Sequence, residues 1–465
     1  MFKELRDLHP MAFSILIVTA VSSWMLTLSL GLTIVGAQAS GTDAGEQFAA
    51  IGGLQIALTC LSIILCAPSV VRLAIRQDSR RVALWQVIGA SPRQARWRYV
   101  SLASLSSLLG SLLGAFLGYI SWPVFTDLVR RTGFLLTPGL GSESINIGAL
   151  LSGPLSSFGV VLLATFFGSA SMSKIDPVQA VAEIPEQRGK TGFLRLLVSI
   201  AIVGGIAIGY IAIANTSPVS TPDTLSGLIS AYWGAALGLL LAYGISDKVL
   251  VRPVVRLVGA LFSFTKSDSW FIAKTSACRR SIVSTSVITP LVVAASSVGS
   301  VFGMVAQTKN VSVALGQSEA DLQVSPPGQI ILVFGLPVII AASSAIVSVY
   351  LTSRLRNNDI ALLEVLGSRP STIRAAAVCE SLIYYLSSTV IAFLILAVNA
   401  FVMGKVLAAG PVPHASPVWF GSETFLLLTA SFVLLSISII VPTMRRSSEL
   451  STATLTRYGF GRKDL

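Results

Sequence analysis

The sequence predicts an all-α polytopic membrane protein with about ten transmembrane helices. Three observations carry this. Of 465 residues, 53% are hydrophobic and only 12% are charged, against roughly 25% charged in a soluble domain. Apolar runs recur along the whole chain at about 20 residues each, the length a helix needs to cross a bilayer. The runs are continuous and do not alternate, which argues against a β-barrel. Their spread along the chain argues against disorder.

The runs lie near 13–37, 49–75, 100–122, 147–171, 194–214, 227–247, 283–306, 329–353, 372–402 and 419–442. Ala37-Gln38-Ala39 has the look of a signal-peptidase site. The run before it exceeds the roughly 7–15 residues of a signal h-region, so it reads as a retained first helix. The seventh run is rich in Ser and Thr. Orientation follows from the loops, because Lys and Arg collect on the cytoplasmic side. With the N-terminus inside, the 33 Lys and Arg residues divide 29 to 4, only Arg130, Arg131, Lys309 and Lys405 lying outside. The protein is thus expected in a bacterial plasma membrane with both termini cytoplasmic. Its net charge of +12 is then an insertion signal and a surface for anionic lipid, not a nucleic-acid site.

No catalytic, cofactor or metal site is predicted. The four cysteines, Cys60, Cys66, Cys278 and Cys379, form no CxxC pair, and His9 and His414 are far apart. No Ser/His/Asp, Cys/His or paired-carboxylate arrangement suggests catalysis. Gly189-Lys190-Thr191 imitates the end of a P-loop, but Pro185 and the lack of a preceding strand make it a chance match. Asp247 and Glu380 sit near cytoplasmic helix ends, where both are expected to reach headgroups or water. No carboxylate chain lies at the membrane centre, which argues against a proton-driven carrier and against a polar tunnel.

The most informative feature is an internal repeat. Val82-Ala83-Leu84-Trp85-Gln86-Val87-Ile88-Gly89-Ala90-Ser91-Pro92 aligns with Ile360-Ala361-Leu362-Leu363-Glu364-Val365-Leu366-Gly367-Ser368-Arg369-Pro370 at an offset of 278. Each copy lies between the second and third helices of a four-helix group. An inserted helix pair separates the groups, so both keep the same orientation, as in a parallel repeat. Val82, Trp85 and Ile88 form one apolar stripe, as do Ile360, Leu363 and Leu366. Gly89 and Gly367 are placed to end each short helix in a left-handed conformation. Ser91 then caps the next helix, with Pro92 at its first position; Arg369 and Pro370 hold those places in the second copy. In the third span Ser106, Gly110, Gly114 and Gly118 recur every four residues, a stripe that permits close helix packing.

These motifs resemble the FtsX/MacB-type permease family of ABC transporters. Members carry a cytoplasmic Glu-Ile-Ala-Leu-Leu-Arg-Ala-Leu-Gly-Ala-Ser stretch. Asp359-Ile360-Ala361-Leu362-Leu363-Glu364-Val365-Leu366-Gly367-Ser368 is similar to it, and the stretch from Arg81 to Ser91 less so, with Arg81 where the family has an acid. Ser173-Lys174-Ile175-Asp176-Pro177-Val178-Gln179-Ala180-Val181 resembles the family's exit segment. The ten-helix layout is similar to the bacitracin-resistance type without its large outer domain. The resemblance implies two FtsX-like units, 1–185 and 263–465, joined by a linker with two extra helices at 186–262. It also implies a dimer of cytosolic ABC ATPase subunits as partner, holding the ATP and Mg that this chain lacks. Arg81, Val82, Trp85, Ile88, Gly89, Pro92, Asp359, Ile360, Leu363, Glu364, Leu366, Gly367 and Pro370 are the expected coupling residues. The expected function is extrusion of an amphipathic or hydrophobic cargo such as a lipid, antimicrobial peptide or drug. The alternative is a signalling device that drives an outer enzyme or sensor kinase and moves no cargo.

Overall fold

A computed structural model describes residues 9–39, 43–77, 88–89, 91–131, 145–169, 193–214, 222–261, 267–279, 281–314, 335–352, 363, 367–409, 429 and 433. Every element among them is a helix: α1 (His9–Gln38), α2 (Asp43–Gln77), α3 (Pro92–Arg131), α4 (Ile147–Ser169), α5 (Phe193–Ala214), α6 (Pro222–Leu261), α7 (Asp268–Arg279), α8 (Ser281–Ala314), α9 (Gly335–Thr352) and α10 (Pro370–Ala409). Eight are long and apolar enough to cross a membrane, and α6 adds a ninth as a bent span. The tenth expected span, 419–442, falls almost entirely outside the described residues.

The repeat sets the plan. Shifted by 278, α3 coincides with α10 at both ends, and α9 falls within the counterpart of α2. In the first half α1 runs through the middle, packed on α2, α3 and α4. Its Ile15, Val18, Met25 and Leu26 share one apolar core with Ala67 and Val70 of α2, Tyr99 and Trp122 of α3 and Ala149 of α4. The same core takes in Leu336, Ile340, Val347 and Leu351 of α9. The second core joins α6, α7, α8, α9 and α10, with Ile288, Ala377 and Tyr384 fully buried. Because α9 contributes to both cores, the two halves share their interior. Where α2 meets α9, Cys66 and Ser344 face each other. They are repeat equivalents, 278 residues apart.

The Ser/Thr-rich seventh run is α8, one of the most enclosed helices. Ser284, Thr285, Ser286, Thr289, Ser296, Ser297 and Ser300 are all buried. A span walled by other helices loses no lipid contact by being polar, and small hydroxyl side chains allow close approach. Helix α5 is the opposite case. It is apolar all round and mostly exposed along its span, so it faces lipid.

Two departures from the sequence reading concern length. Helix α3 runs unbroken for 40 residues, well past the expected 100–122, and α10 extends the expected 372–402 to the same length. Hydropathy marks only the part in contact with lipid, whereas backbone hydrogen bonding carries the helix beyond it. The other departure follows the sixth span. Helix α6 turns by 79° between Asp247 and Val249 and continues to Leu261, and α7 follows. This region reads as a basic loop because Arg252, Arg256 and Lys274 interrupt its apolar runs.

Candidate functional site

The two turn motifs have the backbone that their glycines require. Gly89 has φ of +104° and Gly367 +84°, left-handed values that cost an L-residue roughly 1–2 kcal/mol and glycine nothing. At Gly367 the Ser368 amide donates to the Leu363 carbonyl at 2.9 Å, the long-range bond of a Schellman helix end. Ser91 forms a full capping box: the Gln94 amide donates to Ser91 Oγ at 3.3 Å and the Ser91 amide donates to Gln94 Oε1 at 3.0 Å. In the second copy the Arg369 carbonyl takes the first helical bonds, from the Thr372 and Ile373 amides. Pro92 and Pro370 open α3 and α10. Ile88 is 83% exposed, and Leu363 is half-buried. Arg81, Val82, Trp85, Asp359, Ile360, Glu364 and Leu366 lie outside the described residues, as does the exit segment 173–181.

The small-residue stripe of α3 faces α1. A Cβ on Gly110 would stand 2.5 Å from the Leu16 carbonyl oxygen, and one on Gly114 would collide with the Ala20 carbonyl and sit 2.6 Å from Ser23 Cβ. One on Gly118 would press on Thr27. Ser106, at the head of the stripe, is buried and donates to its own helix at the Leu102 carbonyl. The close approach lets hydrogen bonds cross between helices. Ser23 Oγ donates to the Ser111 carbonyl at 2.8 Å, and Trp24 Nε1 donates to Ser121 Oγ at 2.7 Å. In the second copy Ala392, the counterpart of Gly114, is buried against Ala295 of α8.

The buried charges are better satisfied than the sequence suggests. Asp247 does not reach headgroups or water. It is 2% exposed and accepts from Arg72 Nη2 at 2.8 Å, with the Arg72 side chain 24% exposed. The pair fastens α2 to the bend of α6. Glu380 is likewise buried and accepts from the Tyr384 hydroxyl at 2.7 Å. The Arg72–Asp247 pair left no local signature because its partners are 175 residues apart, whereas the Glu380–Tyr384 spacing of four was a local helical pattern that the sequence reading passed over. It also missed Arg96. From α3, this residue donates to Ser169 Oγ and the Phe166 carbonyl at the end of α4 and lies 4.7 Å from the Phe166 ring centre. A cation at a helix C-terminus is held by the exposed carbonyls and the macrodipole.

Apolar helices long enough to cross a membrane, with a glycine-ended turn before each of the two 40-residue helices, fit a multi-pass membrane protein. Residues 50–177 match the model of the family described as FtsX-like permease C-terminal. The match starts in α2, crosses the first turn motif, α3 and α4, and ends in the exit segment. It agrees with the FtsX/MacB-type resemblance of the first motif. No curated protein matches the chain.

Proposed function

We propose that the chain is the transmembrane subunit of an ABC transporter whose ATPase activity resides in separate cytosolic subunits. The observation that supports this most directly is the pair of left-handed glycines, Gly89 and Gly367, set 278 apart and each followed by a 40-residue helix. The FtsX-like match over 50–177 supports the same reading. Two ATPase subunits closing on ATP would press on the segments near 80–92 and 358–370. Each segment turns sharply at its glycine into a long helix, so a push on the cytoplasmic side is delivered along α3 and α10. The mostly lipid-exposed surfaces of α3, α4 and α5 favour a cargo that partitions into the bilayer, such as a lipid, an amphipathic peptide or a hydrophobic drug.

The test is ATPase stimulation and cargo movement by the complex. Proline is confined to negative φ, so Gly89→Pro with Gly367→Pro is expected to abolish coupled ATPase and transport. Gly89→Asn with Gly367→Asn keeps the left-handed turn and is expected to retain both. Unchanged coupling in the proline pair would remove the coupling role.

A further inference from the structure

The bend of α6 leaves a two-helix elbow at the cytoplasmic surface. Span α6 ends at Asp247, span α8 begins at Ser281, and the elbow between them consists of the second half of α6 and of α7. Both of its ends are thus fixed at membrane depth. One face packs inward: Val251, Val255 and Val258 of α6 and Trp270, Ala273 and Ala277 of α7 are buried in the second core. Trp270 Nε1 donates to the Gly259 carbonyl at 3.2 Å, and Ser269 Oγ donates to the Thr372 carbonyl at the head of α10 at 3.4 Å.

The outer face is apolar and basic together. Leu257 and Leu261 are 58% exposed and Phe271 is 70% exposed. The described side chains of 249–279 include Arg252, Arg256, Lys274 and Arg279 against one acid, Asp268. None of these cations makes an ion pair among the described residues, and Arg252 Nε has no acceptor among them. Two cations converge. Lys274 lies along Gly259 of α6, and the charges of Lys274 and Arg256 both reach the Cys278 thiol. Burial raises that thiol, and the two cations act to lower it. Two cations that act on one thiol and make no ion pair among the described residues suit an anion, and the exposed Leu257, Leu261 and Phe271 of the same two helices suit acyl chains.

We propose that this elbow binds an anionic phospholipid of the inner leaflet, with Arg256 and Lys274 on the phosphate and Leu257, Leu261 and Phe271 among the acyl chains. The proposal rests on taking the Lys/Arg-rich side as the inner one, and it needs no ATPase. It is tested on the full-length chain alone, in nanodiscs of phosphatidylcholine with or without phosphatidylglycerol, by counting retained lipid with native mass spectrometry. Wild type is expected to retain phosphatidylglycerol in preference to phosphatidylcholine. At about a fivefold effect for each surface cation, Arg256→Gln with Lys274→Gln is expected to weaken that retention about twenty-fivefold and to leave phosphatidylcholine unchanged. Arg256→Lys, which keeps the charge and the fold, is expected to retain it. Two results would each overturn the proposal: equal retention of both lipids by wild type, or no loss in the double variant. ATPase coupling in the complex is a separate measurement, so failure here leaves the permease reading standing.

Discussion

Gly114 touches the backbone of α1 so closely that a single methyl group has no room: a Cβ there meets the Ala20 carbonyl and Ser23 Cβ. Overpacking of this kind costs typically about 1–3 kcal/mol. Gly114→Ala is therefore expected to lower the thermal unfolding temperature in detergent. Gly53→Ala, on a helix face with nothing within 4 Å, is expected to be neutral or mildly stabilising, because alanine is the better helix former. Equal effects at the two positions would mean that the contact with α1 is not maintained in solution. The stripe itself was legible in the sequence, since spacing by four is a local pattern. Which helix it meets was not, because Leu16 and Ala20 lie some 90 residues away and carry no matching signal.

Among elements, α6 differs most from its sequence reading, and the Arg72–Asp247 pair fixes its bend. Removing one partner of a buried ion pair costs roughly 3–5 kcal/mol; Arg72 is 24% exposed, so Asp247→Asn is expected to cost less, about 1–2 kcal/mol, after screening by water. The exchange Arg72→Asp with Asp247→Arg is expected to recover part of that loss. A double-mutant cycle on thermal unfolding checks it, and a coupling below about 0.5 kcal/mol would mean that the two sites act independently. Helix ends were legible where chemistry marks them. Ser91 and Pro92 announce the start of α3, and Gly89 and Gly367 announce turns. The far end of α10 was marked by Gly410-Pro411 directly after Ala409, a helix stop that a reading of hydropathy alone passed over; the far end of α3 at Arg131 was hidden by its mixed polarity. The elbow was missed for a related reason: its apolar face is half-covered by protein, and its period is broken by arginines.

At the scale of the whole molecule, a parallel repeat is expected to put both turn motifs on one side of the membrane. In a variant without native cysteines, Ile88→Cys and Leu363→Cys are expected to react with an impermeant maleimide only when the cytoplasmic face is open to it. Ile88 is the more exposed and is expected to react faster. Labelling of either from outside would refute the arrangement. The repeat was legible because its copies share residues at a constant offset, and the span pattern was legible because lipid contact demands apolar side chains. How α2 and α9 cross at Cys66 and Ser344 was not legible, since small polar residues at a helix crossing look the same as small polar residues anywhere else.

The third helices carry a final consequence. At about 1.5 Å per residue, 40 residues make a rod of about 60 Å, twice the roughly 30 Å of a bilayer's hydrocarbon. Such a rod projects from the bilayer by about as much as it buries, as a piston shaft clears its cylinder. The first rod carries Pro123 near its far end, whereas the second has no interior proline. Under the proposed permease reading, a stroke started equally in both halves would pass along one shaft that contains a proline and one that does not, and the far face would be displaced unequally.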